Sequence, residues 1–347
     1  MRIKILLLIL IALHVPPVVA SAGTDLYSGE VIVSSQVEED RVQAVPVALI
    51  QVLQKLSGRR DLPLSPALDA ALGNANRMLL SYRYSNFERV GPDGVINEEL
   101  RLIASFMHTE VDRLVQQLGL PRWQQERPAV ELWVVVDDGQ SRNLKPVEFE
   151  YAWQSMEDIA SLRGLPVTWP ELDEEEAQLI DMRLVWGGFT DYLVERGAPA
   201  DGVAIVAARR EGPVWTLRWN IVSGNQKLSW NNSDQAFQYA LAQGTHWMAD
   251  RIAEANTIAA TEQGLRMIDI VVGELDSADD YAACLGYLQG LSLVNAVSVL
   301  GAEPGQVNFR LEINAPADYL SETFDRGTIL LPAKAGSDYD YEFLPKR

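Results

Sequence analysis

Residues 129–136 read Ala-Val-Glu-Leu-Trp-Val-Val-Val and stop at Asp137-Asp138. Half-covered strands alternate apolar and polar side chains, so a run that is apolar at nearly every position suits a strand buried on both faces of a sheet. A helix is expected over 149–163, stopped by Gly164, and Leu165-Pro166-Val167 returns as a second strand. That succession makes a crossover between parallel strands. Further on, 202–208, 214–221 and 226–230 are separated by the turn signals Glu211-Gly212 and Ser223-Gly224-Asn225, which predicts an antiparallel meander. A long helical stretch over 234–261 closes a mixed α/β domain assigned to 129–262.

The residues before this domain, 23–128, follow a different order. A strand is expected over 26–33, and Ser35 with Glu38 has capping-box spacing. The stripe Val45, Ala48, Leu49, Val52, Leu53 and Leu56 then predicts a helix that stops at Ser57-Gly58. Pro46 is expected to kink this helix or to mark its start. Alternation at 78–84 and 100–106 around Gly91-Pro92-Asp93-Gly94 predicts a β-hairpin, and 109–118 a helix ending at Gly119. The order is βαββα. Residues 263–333 read βαββαβ, the ferredoxin-like split motif, and 334–347 read as a flexible tail. The fold class expected is therefore α+β or mixed α/β, in three small modules.

Arg2 and Lys4, an apolar run over 5–13 and Ala20-Ser21-Ala22 predict a secretory signal peptide over 1–22, cleaved after Ala22. No later run approaches the ~20 apolar residues needed to span a bilayer, so the mature chain is expected to be soluble and periplasmic, without an integral membrane segment. The formal net charge is −19, and loss of Arg2 and Lys4 takes it to −21. Such a chain repels nucleic acid and other polyanions. The only cysteine, Cys284, allows no internal disulfide and reads as a small buried hydrophobe on the inner face of a helix.

Several segments carry a resemblance: Gly29-Glu30-Val31, Leu56-Ser57-Gly58, Tyr82-Arg83-Tyr84, Arg127-Pro128, Leu132-Trp133-Val134, Gly164-Leu165-Pro166-Val167, Trp186 and the 215–219 strand. Together they resemble a proteobacterial secreted family catalogued as a domain of unknown function (DUF2066), which implies no activity. In architecture alone the chain is similar to the flagellar H-ring protein and the N-terminal domain of TolB, both periplasmic assembly components.

The chemistry available is sparse. With His14 in the leader, His108 and His246 remain, and the sequence holds no HExxH, CxxC, G-x-S-x-G, phosphate-loop or dinucleotide-turn pattern. No catalytic residue, metal ligand or cofactor is expected. The acidic run Glu171, Asp173, Glu174, Glu175 and Glu176 reads first as a solvated helix start and second as an ion site. Trp215 and Trp219 share one strand face and read as core. Trp186-Gly187-Gly188 is a ligand-contact candidate, because paired glycines permit close backbone approach, and Glu171 and Asp173 join it as weaker ones. The expected function is a non-enzymatic periplasmic binding or assembly module whose partner is an envelope protein or a cell-wall component. The alternatives are a cell-wall hydrolase using dispersed carboxylates and a small-ligand carrier.

Overall fold

The computed structural model describes residues 25–124, 127–137, 139–196, 201–224, 226–259, 264–291, 293–326, 329–334 and 336–344. The expected leader and its cleavage point after Ala22 lie outside the described residues. The described chain is a mixed α+β protein, as its patterning predicts.

The N-terminal unit runs β1 (Ser28–Ile32), α1 (Glu38–Ser57), α2 (Pro66–Gly73), α3 (Ala75–Met78), β2 (Leu79–Val90), β3 (Ile96–Phe106), α4 (His108–Gln117) and β4 (Arg122–Trp123). The first three strands form an antiparallel sheet in the order β1-β3-β2. The capping box expected at Ser35 does not form: Val37 is the N-cap, and Ser35 donates to Asp40 at 2.8 Å. Glu38, Glu39 and Asp40 instead place negative charge at the positive end of α1. Pro46 does not mark the start of the helix, which begins eight residues earlier at Glu38 and continues through it. It leaves the Val42 carbonyl without its usual N–H partner, and Asn76 Nδ2 donates to that oxygen at 3.3 Å. Gly58, at φ 69°, stops α1 by returning its N–H to Gln54 O.

The central unit contains β5 (Val130–Asp137), β6 (Arg142–Leu144), α5 (Glu150–Arg163), β7 (Val167–Thr168), α6 (Glu174–Leu179), α7 (Met182–Gly187), α8 (Thr190–Glu195), β8 (Gly202–Glu211), β9 (Val214–Ser223), β10 (Gln226–Asp234), α9 (Phe237–Asn256) and β11 (Thr257–Ile258). Its sheet runs β10-β9-β8-β5-β6, with β7 also on β5. The apolar run is β5, every residue of it buried. It pairs in parallel with β8 and β7, and β8, β9 and β10 form the antiparallel meander. Leu132, Val134 and Val136 enter one core with residues of α5 and α9, while Trp133 and Val135 enter a second with residues of α7 and α8. The charge inside the run, Glu131, is satisfied by the Trp133 indole N–H at 2.6 Å. Trp215 and Trp219 pack in the first core, Trp215 stacked on Phe237 at 4.2 Å and Trp219 on Trp230 at 5.4 Å.

The C-terminal unit is β12 (Arg266–Leu275), α10 (Ala278–Gly290), β13 (Val294–Glu303), β14 (Gly305–Ile313), α11 (Ala317–Arg326), β15 (Leu330–Pro332) and β16 (Tyr341–Phe343). Its sheet runs β13-β14-β12-β16-β15. In the expected ferredoxin-like motif the fourth strand would lie directly beside the first. Here β16, from the segment expected to be a flexible tail, lies between them, parallel to β12 and antiparallel to β15. Burial explains the difference: Phe343 joins the apolar core, and Asp340 exchanges bonds with Val271 at 2.8 Å in both directions. Cys284 is buried as expected, and burial pushes its thiol up to about 12.

Two buried arginines join the first two units. Arg127 donates to Lys55 O at 2.6 Å and to Gly164 O at 2.6 Å, and its guanidinium lies 4.1 Å from the Trp123 ring centroid. Arg163 donates to Gly58 O and to Asp250 Oδ1, both at 2.6 Å. Each reaches the carbonyls at the end of α1, where helix carbonyls lack intrahelical partners. His246 lies against Arg163, and burial first, then Arg60 and Arg163, lowers its pKa to about 4. Asp250 and Asp61 oppose this shift. A histidine depressed in the folded state contributes stability that is complete above pH 6.5 and is lost as pH falls toward 4, because the unfolded chain binds the proton first. The ring is partly open to solvent, so the effect is discounted to roughly 1 kcal/mol. Urea midpoints at pH 7, 5.5 and 4.5 are expected to fall more steeply for the wild type than for His246→Gln, and parallel curves would disprove the assignment.

Candidate functional site

The carboxyl ends of adjacent parallel strands are where open α/β sheets place their ligands, since the loops diverge there and leave a crevice. In this sheet the pair is β5 and β8, and their ends bring Asp137 opposite Arg209. The hairpin partner β6 adds Arg142, in register with Asp137. Arg142 Nε at 3.3 Å and an Nη of Arg209 at 2.9 Å donate to the same Asp137 oxygen, while Gly139 N–H reaches the other at 2.9 Å. The Gly139 N–H first, then Arg209, hold the Asp137 carboxyl below the usual carboxylate range.

The C-terminal end of α7 lays Trp186 against this cluster. The guanidinium carbons of Arg142, Arg209 and Arg218 lie 4.6, 5.4 and 6.0 Å from its ring centroid. Cations are drawn to an indole face by its quadrupole, so one ring gathers three arginines from three strands. Arg218 also donates to the Trp186 carbonyl. The two glycines after Trp186 make this approach possible. Gly188 ends α7 at φ 81°, and a Cβ there would lie 2.6 Å from Asn220 Cγ on β9. At Gly187 a Cβ would meet the Phe189 ring. Beside the cluster opens a cavity of about 430 Å³ lined by Asp137, Gly139, Gln140, Ser141, Arg142, Met182 and Arg183. Arg183 grips Asp181 with two bonds of 3.1 and 2.9 Å.

The other sequence candidates lie apart from this arrangement. Asp173 caps α6, accepting from Glu176 N–H at 2.8 Å while the Glu176 carboxylate accepts from Asp173 N–H at 3.1 Å. Glu171 is exposed, so the acidic run is a solvated helix start. His108 stacks on Tyr27 at 3.8 Å, and His246 lies at the arginine junction. Among the described residues no three His, Cys, Asp or Glu side chains gather as metal ligands would. A second cavity, about 260 Å³, is lined by Lys55, Arg89, Arg101 and Asp158 among others. There Arg89 pairs with Glu99 and Asp158, and Arg101 with Glu30, Glu99 and Asp158. That cavity carries its own counter-ions. A third, about 610 Å³, lies where Gly58 to Asp61 face Asp250 and Glu254 on α9, at the junction held by Arg163.

Sequence reading found Trp186 and its glycines but missed Arg142, Arg209 and Arg218. The signal available was a charge at the end of an apolar strand, Arg209, and one between two core residues of another, Arg218 between Leu217 and Trp219. No helix among the described residues is long and apolar enough to cross a membrane. A family model described as Domain of unknown function (DUF8605) matches residues 20–124, a span that ends with β4. No curated protein and no solved structure matches the chain.

Proposed function

We propose that this chain is a non-enzymatic binding module of the cell envelope, exported to the periplasm, with its ligand side at the open end of the central sheet around Trp186. The observation that carries the reading is the gathering of three guanidinium groups on one indole at the carboxyl ends of β5 and β8, in a chain of net charge −19. Cations held together against their mutual repulsion mark a place where negative charge is received. The expected export segment and the resemblance to secreted and assembly proteins support a partner in the envelope. The sites tied into capping and ion pairing, Asp173 foremost, lend no support to the hydrolase alternative.

A photo-reactive amino acid at Phe189, which is 59% exposed beside the site, tests the reading in intact cells. A discrete cross-linked envelope adduct is expected, reduced at least fivefold by Arg209→Gln/Arg218→Gln and absent when the probe replaces Leu64 on the N-terminal unit. Equal adducts from both positions, or adducts indifferent to the arginines, would end the proposal. Residues 1–24 fused to a reporter active only outside the cytoplasm should yield activity.

A further inference from the structure

We infer that the Trp186 site takes a dianionic phosphoryl group. This rests on the preceding reading that the site is the ligand side of the molecule. Charge is the first argument. Arg142 and Arg209 share one carboxylate, Asp137, and Arg183 is taken up by Asp181. Among the described residues Arg218 has no carboxylate partner, and its one hydrogen bond goes to the neutral Trp186 carbonyl. Among the described residues the three guanidiniums outnumber the carboxylate they share the site with, an excess that a phosphate monoester near neutral pH meets more fully than a single carboxylate.

Donor capacity and direction follow the same way. Each guanidinium has five N–H donors. Among the described residues Arg142, Arg209 and Arg218 each spend one hydrogen bond. They come from β6, β8 and β9, so they approach the indole from separate strands. A carboxylate presents two oxygens in one plane, and Asp137 already fills that role. A phosphoryl group presents three oxygens around a tetrahedral centre, one for each arginine. Stacking on Trp186 restrains the guanidiniums before a ligand arrives, which reduces the ordering cost of binding. The cavity of about 430 Å³ alongside holds a small substituent rather than a polymer, in keeping with the repulsion of polyanions by the whole chain.

Isothermal titration of the full mature chain with inorganic phosphate, glycerol 3-phosphate and succinate tests the chemistry. Flotation with phosphatidylcholine vesicles, with and without phosphatidic acid, separates a free phosphate from a lipid headgroup as its source. Saturable binding of at least one phosphoryl probe is expected, weakened tenfold or more by Arg218→Gln and by Arg209→Gln. Arg113→Gln, which removes an exposed arginine paired with Glu110, should bind as the wild type does. Succinate binding as tight as phosphate, binding unchanged in the two site variants, or no phosphoryl binding at millimolar concentration would each overturn the inference. If the envelope adduct at Phe189 depends on the arginines but no phosphoryl probe binds, this inference fails and the binding-module reading stands. Phosphoryl binding without an adduct supports this inference and counts against that reading.

Discussion

Arg163→Met is expected to lower the unfolding free energy by about 3 kcal/mol, the lower end of what removing one partner of a buried ion pair costs. The side chain is 1% exposed, and its loss strands the Asp250 carboxylate together with the carbonyls of Gly58 and His246. Asp250 keeps some contact with water, which is why the lower end applies. Methionine fills similar volume without a charge, so packing changes least. Arg163→Met/Asp250→Asn should recover part of the loss, because the uncompensated charge disappears with its partner. Guanidinium denaturation followed by tryptophan fluorescence is the measurement. A loss below 1 kcal/mol, with no recovery in the double variant, would mean that Arg163 does not hold the junction between α1, α5 and α9.

Gly29→Ala should cost about as much, on the order of 3 kcal/mol, by overpacking rather than by lost charge. A Cβ at this position in β1 would lie 2.7 Å from the Cα of Ala48 on α1 and against its carbonyl oxygen. Both neighbours are backbone, so no side chain can swing aside. The helix has to lift off the sheet, opening the core formed by Ala48, Leu49, Val52 and Leu53. The expected signature is a lowered midpoint with the far-ultraviolet spectrum retained. A midpoint within the error of the wild type would show that β1 and α1 do not approach this closely.

Periodicity made the long elements readable. The run at β5 declared a doubly covered strand because every position had to find an apolar neighbour, and the hairpin of β2 and β3 followed from alternation around Gly91-Pro92-Asp93-Gly94. The short elements escaped. α7 and α8 have six residues each and β16 three, lengths at which a period of 3.6 or 2 has too few repeats to register. The capping box at Ser35 misled because spacing alone does not place a side chain: that hydroxyl turns to Asp40 instead. In the candidate site the aromatic member was legible from its glycines. Its arginines were not, since Arg142, Arg209 and Arg218 come together only when β6, β5, β8 and β9 line up in one sheet.

The position of β16 sets an order of events during synthesis. Because Tyr341 and Glu342 sit between β12 and β15, the sheet built from residue 266 onward stays in two pieces until the chain has emerged past residue 343. Until then β12 offers an open rim, and Val272 and Gly273 are the residues a foreign strand would reach first. A fusion that pulls on residues 341–343 would therefore act on the whole terminal unit, while the same passenger at residue 24 would leave it closed.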